Sequence, residues 1–425
     1  MRIAYILLDP GIGVFGTKGA SVHVQEVIRT FRSLGHDVSV FCTRTDDDVP
    51  TDLADLNVTR LKVPGGLDRS QREMALMHLS DMLADMVVDT ASAPDARADQ
   101  AFDLVYERYS LFSTAGAQIS SRLGVPLVLE VNAPLLAEQK QHRGLVHDAH
   151  AARTTAHSFV EAERIVCVSS AVAAWVERDY PGLRDVSVVP NGVNTERITP
   201  AQSSEGMGSL GEEPSLGEEP GHDRPVPSHD RPVPGHDRPV PSHDRPVRIG
   251  FVGTLKPWHG TDRLIEACAD LRGNFHLDIL GHGPEAEALQ KQAKTLRLGD
   301  RVTFHGALAP AEIPVRLRTF DIAVAPYPAG ENYFSPLKIY EYLAAGLPIV
   351  ASAIGSIPEV LDGTGAAALV PAGDSSALAG ALQDLIDDAE ARQRMGAAAR
   401  AEALAHHSWT SRCQEILAPF VLESV

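Results

Sequence analysis

The chain has no CxxC pair, no apolar run at its start long enough to cross a membrane, and no surplus of basic residues. Its 38 Lys and Arg stand against 56 Asp and Glu, a formal charge of −18. A nucleic-acid backbone is thereby disfavoured as a partner, because neutralising phosphates needs a basic surface. The opening "MRIAYILLDPGIG" holds an apolar run of about six residues. A signal-peptide core or a membrane span needs more, the latter roughly 20 residues, so a cytoplasmic protein is expected. Cys42, Cys167, Cys268 and Cys413 lie far apart and mostly in apolar segments, which predicts buried, reduced thiols.

What the chain does have is alternation. "RIAYILL", "DVSVFC", "LVYE", "PLVLEV", "RIVCV" and "VSVVP" precede residue 190, and "VRIGFVG", "FHLDIL", "RVTFHG", "DIAVAP", "LPIVAS" and "AALVP" follow residue 246. Amphipathic stretches separate them, the pattern of a parallel sheet with helices on both faces. The length of 425 residues exceeds what one core usually supports. The fold class predicted is α/β, two tandem Rossmann-like doubly wound domains facing across a cleft. Residues 1–190 form the first, residues 247–405 the second, and residues 406–425 rejoin the first.

Between the two lies a stretch that fits neither core. Residues 201–246 carry SLGEEP twice and HDRPV four times, the last unit ending at Val247, and are proline-rich and without aromatics. Such a segment cannot bury enough apolar surface to offset its ordering entropy, and it reads as a disordered insertion. Its His222, His229, His236 and His243 stand seven apart, not in the close clusters of metal sites. No metal site is expected anywhere in the chain.

Two loops suggest phosphate chemistry. In "DPGIGVFGTKGAS" the Gly11-x-Gly13-x-x-Gly16 spacing is that of a dinucleotide fingerprint. A nicotinamide cofactor also calls for an acidic residue ending the second strand, and "DVSVFCTR" ends in Cys42 and Thr43, so Gly16, Lys18 and Gly19 read as backbone shaped to approach another phosphate or a sugar. The second loop is "ENYFSPLKIYEYLAAGLPIVAS", residues 331–352. Ser335 is a good N-cap, Pro336 suits a first helical position, and Gly346 with Pro348 ends the helix. The helix start, just past the strand "DIAVAP", offers N–H groups to an anion. Lys338 and Glu341 share a helix face, and read either as a charge-handling pair or as a solvated ion pair.

"SPLKIYEYLAAGLPIVAS" resembles the donor-site motif of glycosyltransferase family 4, retaining enzymes of GT-B fold that use nucleoside diphosphate sugars. "FVGTLKPWHGTDRLIEA", "LGHGPE", "VTFHGAL", "VVPNGVNTERI" and "IPEVLDGTGAAALVPAGD" agree, so the likeness spans nearly the whole chain except the repeat. The resemblance implies a hexosyltransferase-like enzyme with a nucleotide-sugar donor, an unidentified glycan, lipid or small-molecule acceptor, and no cofactor.

It places Glu341 at the nucleotide ribose. Tyr333 stands where the family carries the first Glu of its E-x7-E motif, so Glu331 or the backbone of Tyr333, Phe334, Ser335, Pro336 and Leu337 would contact the sugar. Gly253 and Thr254 begin the diphosphate loop, in which Thr254 and His259 replace an Arg and a Lys; Lys256 then neutralises the diphosphate. His305 and Gly306 fall at the base site, His305 being equally a satisfied strand-end histidine. Asn132 occupies a position often held by His near the reacting carbon, and Glu130 is its nearest carboxylate, read as a catalytic candidate or as a buried, paired Glu. Glu107 and Arg108 read as lining the acceptor pocket or, in preference, as pairing across the sheet edge, and "TDDDVP", which mimics the acidic metal motif of the other large glycosyltransferase fold, reads as a solvated turn after the second strand. Some relatives act on lipid-linked acceptors, which leaves weak association with the inner membrane face as an expectation, although no strongly basic amphipathic helix stands out. The competing reading, prompted by Tyr333 and Asn132, is a non-catalytic nucleotide-sugar-binding protein.

Overall fold

The computed structural model describes residues 1–46, 48–91, 101–142, 144–201, 245–330 and 333–421. Seven strands make the first sheet: β1 (Arg2–Leu7), β2 (Asp37–Cys42), β3 (Asn57–Arg60), β4 (Leu104–Arg108), β5 (Leu127–Val131), β6 (Arg164–Cys167) and β7 (Val186–Val188). Six make the second: β8 (Val247–Val252), β9 (Phe275–Leu280), β10 (Val302–Gly306), β11 (Ile322–Ala325), β12 (Ile349–Ser352) and β13 (Ala367–Val370). The orders are β3-β2-β1-β4-β5-β6-β7 and β10-β9-β8-β11-β12-β13. Neighbouring strands are parallel throughout. Both sheets thus reverse direction beside their first strand, and each forms a Rossmann-like α/β unit with a ligand crevice beyond the carboxyl ends at that point.

The two-residue period of a strand divides each core into two faces. On β1, Ala4 and Ile6 pack with Leu83, Ile119, Phe159 and Trp175 on one face. Ile3, Tyr5 and Leu7 pack with Val24, Val27 and Phe31 of helix Gly19–Ser33 on the other. Trp409, Cys413, Ile416 and Leu417, all from helix Trp409–Leu417, complete that second face. Each such large buried side chain contributes about 1.5–3 kcal/mol, so this late helix is anchored in the first core. Just before it, Val193 N–H donates to His407 O at 2.8 Å and Trp409 N–H to Val193 O at 3.2 Å. A Cβ on Gly192 would lie 2.9 Å from Trp409 N, so only glycine lets the two segments touch.

The one strand absent from the reading of the sequence is β3. It is four residues long, half-exposed and at the sheet edge, so it lacks the apolar run that marks the others. The four cysteines are buried and free. Burial pushes the Cys42 thiol up to about 11 and those of Cys167 and Cys268 to about 12. The acidic turn is more engaged than a solvated turn. Asp46 pairs with Arg44 and lies where a Cβ on Gly13 or Gly16 would be. Of the repeat-bearing segment 201–246, residues 202–244 lie outside the described residues, as does Glu331. No helix among the described residues is long and apolar enough to cross a membrane.

Candidate functional site

In the second sheet the reversal falls between β8 and β11, and the loops leaving these two strands meet there. Gly260, at φ +66°, ends the β8 loop; a Cβ on it would lie 1.7 Å from Pro326 O of the β11 loop. Glycine is therefore required for the loops to touch. A Cβ on Gly253 would lie 2.8 Å from Lys338 Nζ and 3.4 Å from His259 Nδ1, so bare backbone, an ammonium and an imidazole converge at this point.

Lys338 is only 8% exposed, and its Nζ has no hydrogen-bond partner among the described residues. It lies 4.2 Å from the ring centroid of Phe251 and 5.2 Å from that of Tyr327. Burial pulls its pKa down to about 7, with Glu341 acting weakly in the opposite sense. Lys338 is the second residue of helix Leu337–Ala344, whose first N–H groups have no intrahelical partners. No ion pair joins Lys338 to Glu341 and neither is solvated as an exposed pair would be, which removes the surface ion-pair reading. Burial raises the pKa of Glu341, while Arg197 and then Lys338 lower it and Glu26 raises it. Arg197 itself is held by Glu26 at 2.8 Å.

Ser335 does not cap this helix. Pro336 occupies the N-cap position and no side chain caps it, because the Ser335 hydroxyl is already engaged. It accepts from Asn191 N–H at 3.1 Å and pairs with Tyr340 Oη at 2.8 Å. The Tyr333 carbonyl accepts from Ser169 Oγ at 2.6 Å, and its ring packs on the first core. Tyr333 therefore joins the two halves rather than standing in for a carboxylate. The Phe334 carbonyl accepts from Ser356 Oγ at 2.9 Å, and its ring lies 4.8 Å from that of Tyr327.

In the β8 loop the His259 Nδ1 meets the Thr254 carbonyl, which puts the ring proton on Nδ1 and leaves Nε2 an acceptor. Burial, then Lys338 and Lys256, hold its pKa down at about 3. Lys256 Nζ sits 4.6 Å over the exposed Trp258 ring. His305 is turned elsewhere: its Nε2 lies 2.7 Å from Asp278 Oδ1, which also accepts from Arg248 at 2.6 Å. Of the two readings of His305, this contact agrees with a satisfied strand-end histidine and does not exclude the other. The Gly306 carbonyl accepts from Gly281 N–H at 2.8 Å.

The facing wall comes from the first half. A Cβ on Gly19 would be 3.7 Å from Leu337 Cδ1, so the amino ends of helices Gly19–Ser33 and Leu337–Ala344 face each other. Lys18 is the exposed N-cap residue of the former. Behind it lies Glu130, 1% exposed. Its Oε1 is 2.5 Å from His23 Nε2 and accepts from Arg108 at 3.0 Å and Asn132 at 2.6 Å, while Oε2 accepts from Tyr106 Oη at 2.7 Å. Although burial raises its pKa, His23 and Arg108 and the hydrogen bonds outweigh that and hold it well below the usual carboxylate range. Glu130 is thus buried and paired, and Asn132 is bound to it. Arg108 pairs with Glu130, while Glu107 faces the other way, bonded to Ser113 Oγ and Gly116 N–H, its pKa raised by burial to about 7.

The Glu130 cluster reaches the loop that leads into helix Leu337–Ala344. His23 Nδ1 is 2.7 Å from Asn191 Oδ1, and Asn191 Nδ2 donates to the Ser335 carbonyl. Asn191 and His23 were not picked out from sequence as site residues, nor were Phe251 and Tyr327 beneath Lys338. The available signal was the position of Asn191 in "VVPNG" between the two halves. Among the described residues no group of three His, Cys, Asp or Glu stands close enough to hold a metal ion.

Comparison with known proteins adds independent findings. Residues 17–197 match the family model described as Glycosyltransferase Family 4, and residues 236–402 that described as Glycosyl transferases group 1. A D-inositol 3-phosphate glycosyltransferase of Acidothermus cellulolyticus is 27% identical over 96% of this chain and 86% of its own length. The one of Corynebacterium diphtheriae is 26% identical over 98% and 93%. Among solved structures, HepE of Anabaena in complex with UDP superposes with a TM-score of 0.69 at 18% identity, covering 99% of both chains. A sucrose-phosphate synthase from Thermosynechococcus elongatus gives 0.68 at 18% identity, over 99% of this chain and 98% of its own.

Proposed function

The chain belongs to the family 4 glycosyltransferases of GT-B fold, and from that premise we propose that it moves a sugar from a nucleoside diphosphate sugar to an acceptor hydroxyl, with retention of configuration and no metal ion. The observation that carries this reading is Lys338, a buried ammonium without a hydrogen-bond partner among the described residues, at the start of a helix. A diphosphate supplies the missing counter-charge, and burial strengthens the attraction. Lys256 and the Gly253–Thr254 backbone complete the phosphate cradle, and His259 Nε2 accepts from a donor hydroxyl. Glu341 takes the ribose hydroxyls, and the main chain at Gly306 flanks the base. The backbone at Tyr333, Phe334 and Ser335 holds the transferred sugar opposite Gly16, Lys18 and Gly19.

In the transfer the bond from the anomeric carbon to the diphosphate oxygen breaks as the acceptor oxygen attacks from the same face. The acceptor proton passes to the departing phosphate oxygen. Glu130 is held ionised by four partners, so it serves as scaffold and not as nucleophile. Lys338, Lys256 and the helix start meet the charge that develops on the leaving group. UDP is the first nucleotide to test, since HepE has been solved with it. Turnover of a UDP-sugar in the presence of a chelator, followed by NMR of the anomeric proton, is expected to give product of the donor's configuration. An inverted product, or turnover abolished by the chelator, would overturn the mechanism.

A further inference from the structure

The segment that leaves the first half, residues 191–200, runs beside helix Leu337–Ala344 and touches it near both ends. Ahead of the helix, Asn191 N–H donates to Ser335 Oγ at 3.1 Å. Past its other end, a Cβ on Gly346 would lie 3.0 Å from Pro200 Cγ. Between these points one guanidinium nitrogen of Arg400 donates to the Ile198 carbonyl at 3.0 Å and to the Ala344 carbonyl at 2.7 Å. Its other terminal nitrogen donates to the Thr195 carbonyl at 3.0 Å. Ile198 is buried in the core cluster that holds Tyr340, Leu343 and Ala344. The segment is thus fastened along the helix, and Arg197, next to Ile198, comes beside the turn that carries Glu341, three residues before Ala344 on the same helix face.

Arg197 nevertheless turns its head elsewhere. Its Nη2 lies 2.8 Å from Oε1 of Glu26, a 2% exposed carboxylate on helix Gly19–Ser33 of the opposite half. Its Nε is buried and has no hydrogen-bond partner among the described residues. Burial opposes the ionisation of Glu341, and Arg197 is the foremost charge that favours it, ahead of Lys338. Arg197 exerts that influence through space, with no hydrogen bond to the carboxylate. A carboxylate bridged directly by a guanidinium has its oxygens taken in a fork, whereas one that only shares its field keeps them for other donors. On the transfer reading the diphosphate claims Lys338, which leaves Arg197 to balance Glu341.

We propose that Arg197 is a positioning residue of the donor site: held by Glu26, it supplies the counter-charge to Glu341 while leaving that carboxylate's oxygens free to accept the ribose 2′- and 3′-hydroxyls. The assignment rests on the transfer reading above, in which Glu341 takes the ribose. Loss of the Arg197 charge therefore weakens the grip on the ribose and spares the grip on the diphosphate.

Calorimetry on the full chain tests this with two probes, UDP and 2′,3′-dideoxy-UDP, GDP or ADP and its dideoxy form replacing them if it binds tighter. Wild type is expected to prefer the ribonucleotide about 30-fold, since hydrogen bonds to a charged group are the strong ones. Glu341→Gln is expected to cut that preference to about threefold. Arg197→Met is expected to cut it to about fivefold, with the affinity for the dideoxy nucleotide and the Tm unchanged, because Glu26 retains Arg29 at 2.8 Å. Arg197→Lys, which restores the charge, is expected to restore the preference. A wild-type preference in Arg197→Met, equal weakening of both nucleotides in that variant, or failure of Arg197→Lys to restore the preference overturns the proposal. A full preference retained by Glu341→Gln would instead refute the ribose placement, and the proposal with it. Failure of wild type to bind any nucleoside diphosphate would refute the transfer reading itself.

Discussion

Each half of the molecule buries one conspicuous charge near the cleft, and the two are treated in opposite ways. Glu130 in the first half is met by His23, Arg108, Asn132 and Tyr106. Lys338 in the second is met by two aromatic rings and a glycine backbone, and among the described residues by no hydrogen-bond acceptor. A buried charge without a partner is expensive to keep. The structure keeps Lys338 where a backbone without side chains and a helix start converge on it, and on the proposed reading its counter-charge comes with the substrate. Glu130, fully paired, contributes order instead, and through His23 and Asn191 it fixes Ser335 ahead of helix Leu337–Ala344.

That contrast breaks most visibly when each charge is removed. Lys338→Met is expected to lower kcat/KM about 10³-fold, about 4 kcal/mol of transition-state stabilisation, while leaving the protein at least as stable to urea. Glu130→Ala is expected to act the other way, destabilising the fold by about 3 kcal/mol because Arg108 and His23 lose their buried partner. Urea titrations of both variants beside steady-state kinetics separate the two.

The pH dependence follows from the same difference. The Lys338 pKa is lowered to about 7 from 10.5, so the unfolded chain holds more protons between these values and this group's contribution to stability rises with pH across that window. Diphosphate binding favours the charged ammonium, so above pH 7 it takes up a proton and affinity falls by up to tenfold per pH unit. Calorimetry in two buffers of different ionisation enthalpy measures that uptake at pH 8, and Lys338→Met should abolish it. Glu130, ionised throughout, adds no such slope above pH 5. The smallest effect belongs to the link between the halves. Asn191→Ala is expected to cost about 1–2 kcal/mol of stability and to raise KM for the donor severalfold, measured by urea titration and initial rates.

Much of the second half was legible in the sequence because its determinants are local. All six of its strands are apolar runs, and Gly253, Lys256, Leu337 and Lys338 lie in two short motifs that the fold brings together. The first half was legible as a sheet, apart from the short, half-exposed edge strand β3. The partners of Glu130 were not, since Arg108 lies 22 residues away and His23 joins it to Asn191 across 168. Propensity and spacing carry no signal at that separation. The Ser335 cap failed for the same reason, because Asn191, 144 residues distant, takes the hydroxyl that local chemistry assigns to the helix.

The central claim is that the unpaired buried cation is the donor site and the paired buried anion is scaffold. Calorimetric titration of UDP, GDP and ADP into wild type, Lys338→Met and Glu130→Gln tests it most directly. The account predicts that whichever nucleotide binds wild type tightest binds Lys338→Met at least 100-fold more weakly and folded Glu130→Gln within threefold of wild type. Equal nucleotide affinity in wild type and Lys338→Met would contradict it.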